Sequence, residues 1–173
     1  MKFVVISSNL KKDSKTLILA QETEKSIKKL GHKAELLNLA EIDLPFCDGD
    51  KCYNNAKVKE LHKTIENSDG IILSTPIYNY NVNAAAKNLF ELTGKAWLNK
   101  PVGFTCSAGG SKSYMSIMSF ANSLMLDFRC TIIPKFVYVT DSSFEGDEIT
   151  DPDVSKRIEE LAASIIKFAK VLK

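Results

Sequence analysis

The stretch that decides the fold is Lys2-Phe3-Val4-Val5-Ile6-Ser7, which leads straight into a polar loop that begins at Ser8. A short, continuous apolar run of this kind is typical of a strand buried on both faces of a parallel sheet. Residues 14–30 then carry apolar side chains at helical spacing, and Gly31 ends that pattern. A buried strand, a polar loop and an amphipathic helix predict the first unit of an α/β sheet.

The same alternation continues to the end of the chain. Further strands are predicted at residues 34–39, 70–75, 102–106 and 131–139, and further helices at residues 58–66, 83–97, 113–127 and from Asp151 onward. We expect Pro76 to end the third strand, because proline cannot donate to a ladder. Parallel strands require helical crossovers, so the pattern predicts a doubly wound, five-stranded parallel sheet with helices on both faces.

Length and charge narrow the class of protein. The 173 residues suit one domain, so we treat residues 1–173 as a single domain. A net charge of +2 gives no support for binding to nucleic acid or a membrane surface. The chain opens on a strand rather than a signal peptide, and no uncharged run nears the roughly 20 residues of a membrane span. We therefore expect a cytoplasmic protein without nucleic-acid or membrane partners.

Four cysteines are present, and they fall into two kinds. Cys106 and Cys130 lie in or beside apolar strands and are expected to be small buried side chains. Cys47 and Cys52 are separated by four residues in a polar loop. A zinc site normally needs four ligands, and the two histidines are not paired near this loop. The sequence therefore predicts no metal site.

The loop after the first strand, residues 8–16, has the features of an anion site. In a sheet of order 2-1-3-4-5, ligands bind beyond the carboxyl ends of strands one and three. This loop enters a helix, whose first N–H groups and dipole favour an anion. The Ser14 and Thr16 hydroxyls and the Lys11 ammonium would add hydrogen bonds to a phosphate. The alternative is an ordinary helix cap at Asp13 or Ser14.

Two more loops lie at the same predicted edge. The loop after strand three carries Tyr78, Tyr80 and several amides, which would frame a flat heteroaromatic ring. After strand four, Gly109 and Gly110 allow a ligand to approach the backbone closely. Neither Gly-x-Gly-x-x-Gly nor Gly-Lys-Ser/Thr is present, which disfavours a Rossmann dinucleotide site and a triphosphate site.

At these loops the sequence resembles the NADPH-dependent FMN reductase family, which also includes chromate, quinone and azo-dye reductases. The family's phosphate loop, Gly-Ser-x-Arg-x-x-Ser-x-Asn, aligns without a gap with residues 8–16; Ser14 is kept, and Lys11 and Thr16 stand for the arginine and asparagine. The family's Thr-Pro-Glu-Tyr-Asn pattern resembles residues 75–79, with Lys87-Asn88 following. Ile77 replaces the acidic residue, and Tyr80 replaces the usual glycine at the mouth of the site.

The resemblance implies a flavodoxin-like fold with FMN bound at the three loops and NADPH or NADH as co-substrate. The phosphate would lie on residues 8–16, and the isoalloxazine against residues 76–80 and 107–110. The implied cofactor-binding residues are Ser8, Asn9, Lys11, Ser14, Lys15, Thr16, Pro76, Ile77, Tyr78, Asn79, Tyr80, Ser107, Ala108, Gly109 and Gly110. The flavin would carry electrons to a small-molecule acceptor, and no catalytic side chain is assigned.

Other functions stay open at this point. A flavodoxin-type electron carrier is one, although such carriers are typically acidic and this chain is not. An iron–sulfur or thiol redox flavoprotein using Cys47 and Cys52 is another, although cluster-binding relatives have denser cysteine spacing. A protein that only binds partners through this fold is a third. Residues 83–97 and 113–127 carry more apolar surface than one sheet face needs, and the resemblance also implies pairing, so we expect a homodimer or tetramer.

Overall fold

The computed structural model describes residues 1–172. A central sheet is covered by helices on both faces. The strands β1 to β9 span Lys2–Ser7, Lys33–Asn38, Gly70–Tyr78, Asn81–Val82, Pro101–Ala108, Thr131–Ile132, Val137–Thr140, Phe144–Glu145 and Glu148–Ile149. The helices α1 to α5 span Lys15–Lys29, Ala56–Glu66, Ala84–Thr93, Met118–Phe128 and Pro152–Val171.

The parallel strands of the main sheet run in the order β2-β1-β3-β5, β5 then pairs with both β6 and β7, and the short β4 pairs antiparallel with β3. The predicted doubly wound parallel sheet is therefore confirmed, but β4 was not predicted and the last strand differs. The predicted fifth strand, residues 131–139, is divided because Pro134 cannot donate to a ladder and Lys135 has a φ of 58°. β6 pairs with the start of β5, and β7 pairs with its end.

The third strand does not stop at Pro76, as expected from the sequence, but continues to Tyr78. The Ser74 carbonyl accepts a hydrogen bond from the Ser8 N–H at 2.9 Å, on the β1 side of the strand. Pro76 lies two residues further on and directs its nitrogen to that same side. β1 has already ended at Ser7, so there is no β1 carbonyl opposite Pro76 that would need an N–H donor. The proline is therefore tolerated in this strand.

Two of the predicted helices are interrupted. The segment predicted as residues 83–97 forms α3 and then a 3-10 turn over Gly94–Trp97. The segment predicted as residues 113–127 begins with 3-10 turns over Ser111–Ile117 before α4 starts. Within residues 1–172, no helix has both the length and the apolar character needed to cross a membrane.

Side chains that alternate along β1 build two separate cores. Val4 and Ile6 contact the cluster formed with α2, α3 and α4, whereas Phe3 and Val5 contact the cluster formed with α1 and α5. All four side chains are fully buried. This arrangement explains the unbroken apolar run in the sequence, since each face of the sheet is covered by helices. The polar residues at the carboxyl ends of the strands are left as the edge where a ligand can enter.

Candidate functional site

A cavity of about 460 Å³ opens at the carboxyl ends of β1, β3 and β5. The lining residues that the sequence predicted come from all three loops: Asn9, Lys11, Ser14, Lys15, Pro76, Ile77, Tyr78, Ser107, Ala108 and Gly109. Ten of the fifteen predicted site residues thus meet around one cavity. It lies at the point where strand order reverses, which is where doubly wound sheets bind ligands.

The other five predicted residues lie beside or behind this cavity. Asn79, Tyr80 and Gly110 line a neighbouring cavity of about 530 Å³, which is also lined by Ile77 and by residues 111–113. Ile77 faces both cavities and joins them. Ser8 and Thr16 are fully buried and do not line either space. The structure therefore gives these two residues a supporting position.

The start of α1 forms the polar end of the first cavity. Ser14 is the N-cap residue, and its hydroxyl accepts a hydrogen bond from the Leu17 N–H at 3.2 Å. A hydroxyl that accepts one hydrogen bond still has a hydrogen to donate. Lys11 and Lys15 line the same region, and the first N–H groups of a helix have no intrahelical partner. This end of the cavity therefore suits an anion.

Hydrogen bonds between distant residues hold the three loops together. The hydroxyls of Thr16 and Ser107 are 2.7 Å apart, which ties the first loop to the third. Asn83, at the N-cap of α3, donates to the Ser8 carbonyl at 2.7 Å and accepts from the Ser8 hydroxyl at 2.9 Å. The Thr75 hydroxyl also donates to Asn83 Oδ1, at 3.4 Å. Sequence reasoning missed Asn83, although an asparagine at the start of a predicted helix is typical of an N-cap.

A fourth segment, which sequence reasoning did not include, also reaches the first cavity. Asp141, Gly146 and Asp147 line it, together with Asp13 and Ile18. This segment follows β7, whose last residue pairs with Ala108 at the end of β5. The rule that ligands bind at the carboxyl edge of the strands applies to this strand as well, and would have found it.

Tyr138 is a second residue that sequence reasoning missed. Its hydroxyl donates to the Gly110 carbonyl and lies 2.7 Å from the Ser113 hydroxyl. These hydrogen bonds hold the loop that follows β5, and residues of that loop line the second cavity. The only indication in the sequence is the place of a tyrosine in the predicted fifth strand, which says nothing about its partner.

The cysteines occupy two unrelated environments. Cys47 Sγ lies 3.5 Å from the Tyr53 hydroxyl, and the Cys52 N–H donates to Asp48 Oδ1 at 3.0 Å. Hydrogen bonds from the Cys52 thiol and from backbone N–H groups lower the pKa of Asp48 to about 2. The hydrogen bond to Cys47 contributes most to raising the pKa of Tyr53 to about 12.

The remaining two cysteines lie in the core. Burial raises the pKa of Cys106 to about 12 and the pKa of Cys130 to about 11. Metal ligation requires the thiolate, so these environments disfavour it. Across residues 1–172, no three or more His, Cys, Asp or Glu side chains are grouped so that they could hold a metal ion.

A larger cavity, of about 710 Å³, lies between α2 and the ends of α3 and α4. It is lined by residues such as Tyr53, His62, Glu91 and Phe128, and by none from the three loops. Size alone would favour it as the ligand site. The smaller cavity combines a helix N-terminus, two lysines and strand-end backbone, so its chemistry makes it the stronger candidate.

The fold and this edge define the class of protein as flavodoxin-like α/β. The solved structure of the NADH:FMN oxidoreductase EMOB in its apo form superposes with a TM-score of 0.80 at 18% identity, covering 99% of this chain and 90% of that chain. The NAD(P)H-dependent FAD/FMN reductase of Geobacillus thermodenitrificans is 29% identical over 100% of this chain and 96% of its own length. The NADPH azoreductase of Bacillus sp. strain OY1-2 is 26% identical over 98% and 91%.

The family model for NADPH-dependent FMN reductase matches residues 1–145. The chain therefore belongs to the NADPH-dependent FMN reductase family, and it is an oxidoreductase with FMN as cofactor and NAD(P)H as co-substrate.

The residues of the first cavity fit FMN in three respects. The anion end at α1 suits a phosphate. The opposite wall, formed by residues 76–78 and 107–109, offers strand-end backbone and apolar surface to a ring system. A Cβ atom built on Gly109 meets no other atom within 4 Å, and its φ is not positive, so neither packing nor backbone conformation requires glycine there. The open space beside Gly109 is available to a ligand.

Proposed function

We propose that this chain, as a single domain of residues 1–173, binds FMN in the first cavity and passes electrons from NADPH or NADH to a small acceptor. The candidate acceptors are quinones, azo compounds, chromate and free flavin. The observation that carries the proposal is the cavity itself, in which the start of α1, two lysines and the strand-end residues 76–78 and 107–109 meet at one sheet edge. Family membership supports the same conclusion.

In this proposal each loop has its own part in holding the flavin. Ser14, Lys11 and Lys15 bind the phosphate, and residues 76–78 and 107–109 hold the ring system. The bound flavin supplies the hydride-accepting chemistry, and no side chain of this protein is assigned as catalytic. The neighbouring cavity, with Tyr80 and Lys112, then receives the nicotinamide or the acceptor beside the ring.

The test is a visible spectrum of the purified protein with FMN, followed by anaerobic addition of NADPH or NADH. Bleaching of the flavin absorbance, and its return on addition of a quinone or azo dye, is the expected result. The Ser14→Asp variant is the matched control, because it keeps a helix cap and places a carboxylate where the phosphate would lie. A flavin that binds and is never reduced would favour an electron carrier instead.

The alternative iron–sulfur function finds little support in the cysteine environments. Cys47 and Cys52 lie near one another, but a cluster usually takes four cysteine ligands. Burial raises the pKa of Cys52, and the hydrogen bond between its thiol and Asp48 acts in the same direction, so both oppose formation of the thiolate. We therefore favour the reductase, in which neither thiol takes part in electron transfer.

We also propose that two or four copies assemble through residues 83–97 and 113–127. Within residues 113–127, Met115 is 62% exposed and Leu126 is 76% exposed, whereas Leu89, Phe90 and Trp97 of the first segment are buried in the core of this chain. Tyr114, Met118 and Met125 are partly exposed there as well. Large apolar side chains grouped at a surface favour burial against a partner. Light scattering at micromolar concentration should give a dimer or tetramer, and a monomer would count against this assembly.

A further inference from the structure

The cavity proposed for FMN contains more negative than positive side chains. Lys11 and Lys15 supply two ammonium groups to its lining, while Asp13, Asp141 and Asp147 supply three carboxylates. A phosphate dianion entering this end would meet carboxylates as well as the helix N-terminus. The carboxylates therefore reduce the attraction that the helix N-terminus and the lysines offer to a phosphate, because like charges at short range oppose binding.

One of the two lysines is already engaged. Lys15 Nζ lies 2.8 Å from Asp141 Oδ1, and it also lies 5.3 Å from the centroid of the Phe144 ring. Both contacts come from the segment after β7. A lysine has three N–H donors on a flexible stem, so Lys15 is able to exchange one partner for another.

The segment that carries Asp141 is braced against α5. The Ser143 hydroxyl donates to Asp151 Oδ2 at 3.1 Å, and the Thr150 N–H donates to the Ser143 carbonyl at 3.0 Å. Asp151 in turn caps α5 by accepting from the Asp153 N–H. The position of the Asp141 backbone is therefore maintained by contacts that do not involve Lys15, so its carboxylate stays close to the phosphate end of the cavity.

We propose that Asp141 competes with the flavin phosphate for Lys15 and thereby sets the affinity of the site for FMN. This inference rests on the proposed function, in which the phosphate lies at the start of α1. Phosphate binding then requires Lys15 to leave Asp141, which remains nearby as an unpaired carboxylate. FMN is consequently held as an exchangeable ligand, and the advantage of FMN over riboflavin, which has no phosphate, is reduced.

The experiment is fluorescence titration of the apoprotein with FMN and with riboflavin, for wild type, Asp141→Asn and Asp147→Asn. Asp147 is the matched control: it lines the same cavity, and within residues 1–172 its carboxylate forms no ion pair. Because exposed ion pairs are weak, we expect Asp141→Asn to tighten FMN binding about two- to fivefold. Asp147→Asn should change it by less, and riboflavin affinity should stay the same in both variants.

A double-mutant cycle with Lys15→Gln tests the competition itself. In the Lys15→Gln background, Asp141→Asn should lose most of its effect on FMN. Two outcomes would overturn the inference: an equal gain in FMN affinity from Asp147→Asn, or a full gain from Asp141→Asn in the Lys15→Gln background. Either would show that the carboxylates act by general charge repulsion. If Lys15→Gln weakens FMN binding and Asp141→Asn has no effect, only the inference fails. If Lys15→Gln leaves FMN binding unchanged, Lys15 does not hold the phosphate and the inference fails; the phosphate position itself fails only if Ser14→Asp also leaves FMN affinity unchanged.

Discussion

Asn83 and Ser8 hold each other through two hydrogen bonds: the Asn83 amide donates to the Ser8 carbonyl at 2.7 Å, and the Ser8 hydroxyl donates back to Asn83 Oδ1 at 2.9 Å. The same Oδ1 accepts from the Ala86 N–H at 3.2 Å and so caps α3. One buried side chain therefore joins the end of β1 to the start of a helix that follows the second loop. The relative position of the first two loops depends on it.

Replacing Asn83 by alanine should destabilise the protein by about 2–4 kcal/mol, since it removes a helix cap and leaves buried groups of Ser8 without partners. Urea unfolding measures the change. Asn55→Ala is the matched control, because Asn55 also caps a helix, α2, but is exposed and bonds only to nearby N–H groups. The Asn55→Ala variant should lose about 1 kcal/mol in its free energy of unfolding. Equal costs for the two variants would show that the bridge to Ser8 adds no stability.

Ser14 combines a structural role with a proposed role in binding. Ser14→Ala should weaken FMN binding about ten- to a hundredfold, because a hydrogen bond to a charged group contributes roughly 1.5–3 kcal/mol. It should also cost about 1 kcal/mol in stability, because the bond to the Leu17 N–H is lost. Fluorescence titration measures the first effect, and thermal unfolding followed by circular dichroism measures the second.

Ser14→Asp separates these two roles. Aspartate is a good N-cap residue and suits the positive end of the α1 dipole, so the fold should be retained. FMN binding should nevertheless fail, since a carboxylate would face the phosphate dianion. Riboflavin should bind the wild type weakly, and neither substitution should change its affinity appreciably. Unchanged FMN affinity in Ser14→Asp would show that the phosphate does not lie at this helix.

Gly109→Ala should leave the stability nearly unchanged and weaken FMN binding. Apart from its chain neighbours, the added Cβ meets no protein atom within 4 Å, and Gly109 lines the cavity proposed for FMN. Gly103→Ala is the opposite case, because its Cβ would lie 2.7 Å from Ile72 Cδ1 and 2.9 Å from Leu161 Cδ1 in the core. That variant should lose about 1–3 kcal/mol of stability through overpacking. Normal FMN affinity in Gly109→Ala would place the flavin elsewhere.

Tyr80 occupies a backbone conformation that suits glycine. It has a φ of 59° in the two-residue turn between β3 and β4, and its side chain is 68% exposed beside the second cavity. Tyr80→Gly should therefore stabilise the fold slightly, by about 0.5–1 kcal/mol, as relief of strain exceeds the added freedom of the unfolded chain. Lys135→Gly, at a φ of 58° in the loop between β6 and β7, should have a similar effect on stability.

The two glycine variants should differ in their kinetics. Because Tyr80 lines the proposed acceptor cavity and Lys135 does not, only Tyr80→Gly should change the KM for a quinone or azo acceptor. Steady-state assays with saturating NADPH measure this difference. The same KM in wild type and Tyr80→Gly would exclude a contact between this side chain and the acceptor.

The thiols of Cys47 and Cys52 should be dispensable for flavin reduction, because neither residue lines the cavity proposed for FMN. The Cys47→Ser and Cys52→Ser double variant should keep its FMN affinity and its rate of NAD(P)H oxidation within about twofold of wild type. Anaerobic stopped-flow bleaching of the flavin is the measurement. A double variant that binds FMN normally but no longer oxidises NAD(P)H would favour the thiol redox function.

The local pattern of residues determined the main parallel strands, the helical segments and the sheet edge at which doubly wound sheets bind ligands, but not the short strands β4, β8 and β9. Apolar runs such as residues 3–6 predict buried strands, because each buried face requires apolar side chains. Ser14 can be predicted as a cap, because capping is a contact with the next helical turn. The three loops that line the first cavity were predicted for the same reason, since each is a continuous segment placed directly after a strand.

Only the tertiary structure decided which distant side chains meet. The continuation of β3 through Pro76 depends on where β1 ends, and the pairing of Lys15 with Asp141 depends on how β7 aligns with β5. The Asn83 bridge to Ser8 likewise joins residues 75 positions apart. Such contacts follow from strand register and crossover geometry, which bring segments together across the sheet, and no local pattern of residues encodes a partner at that separation.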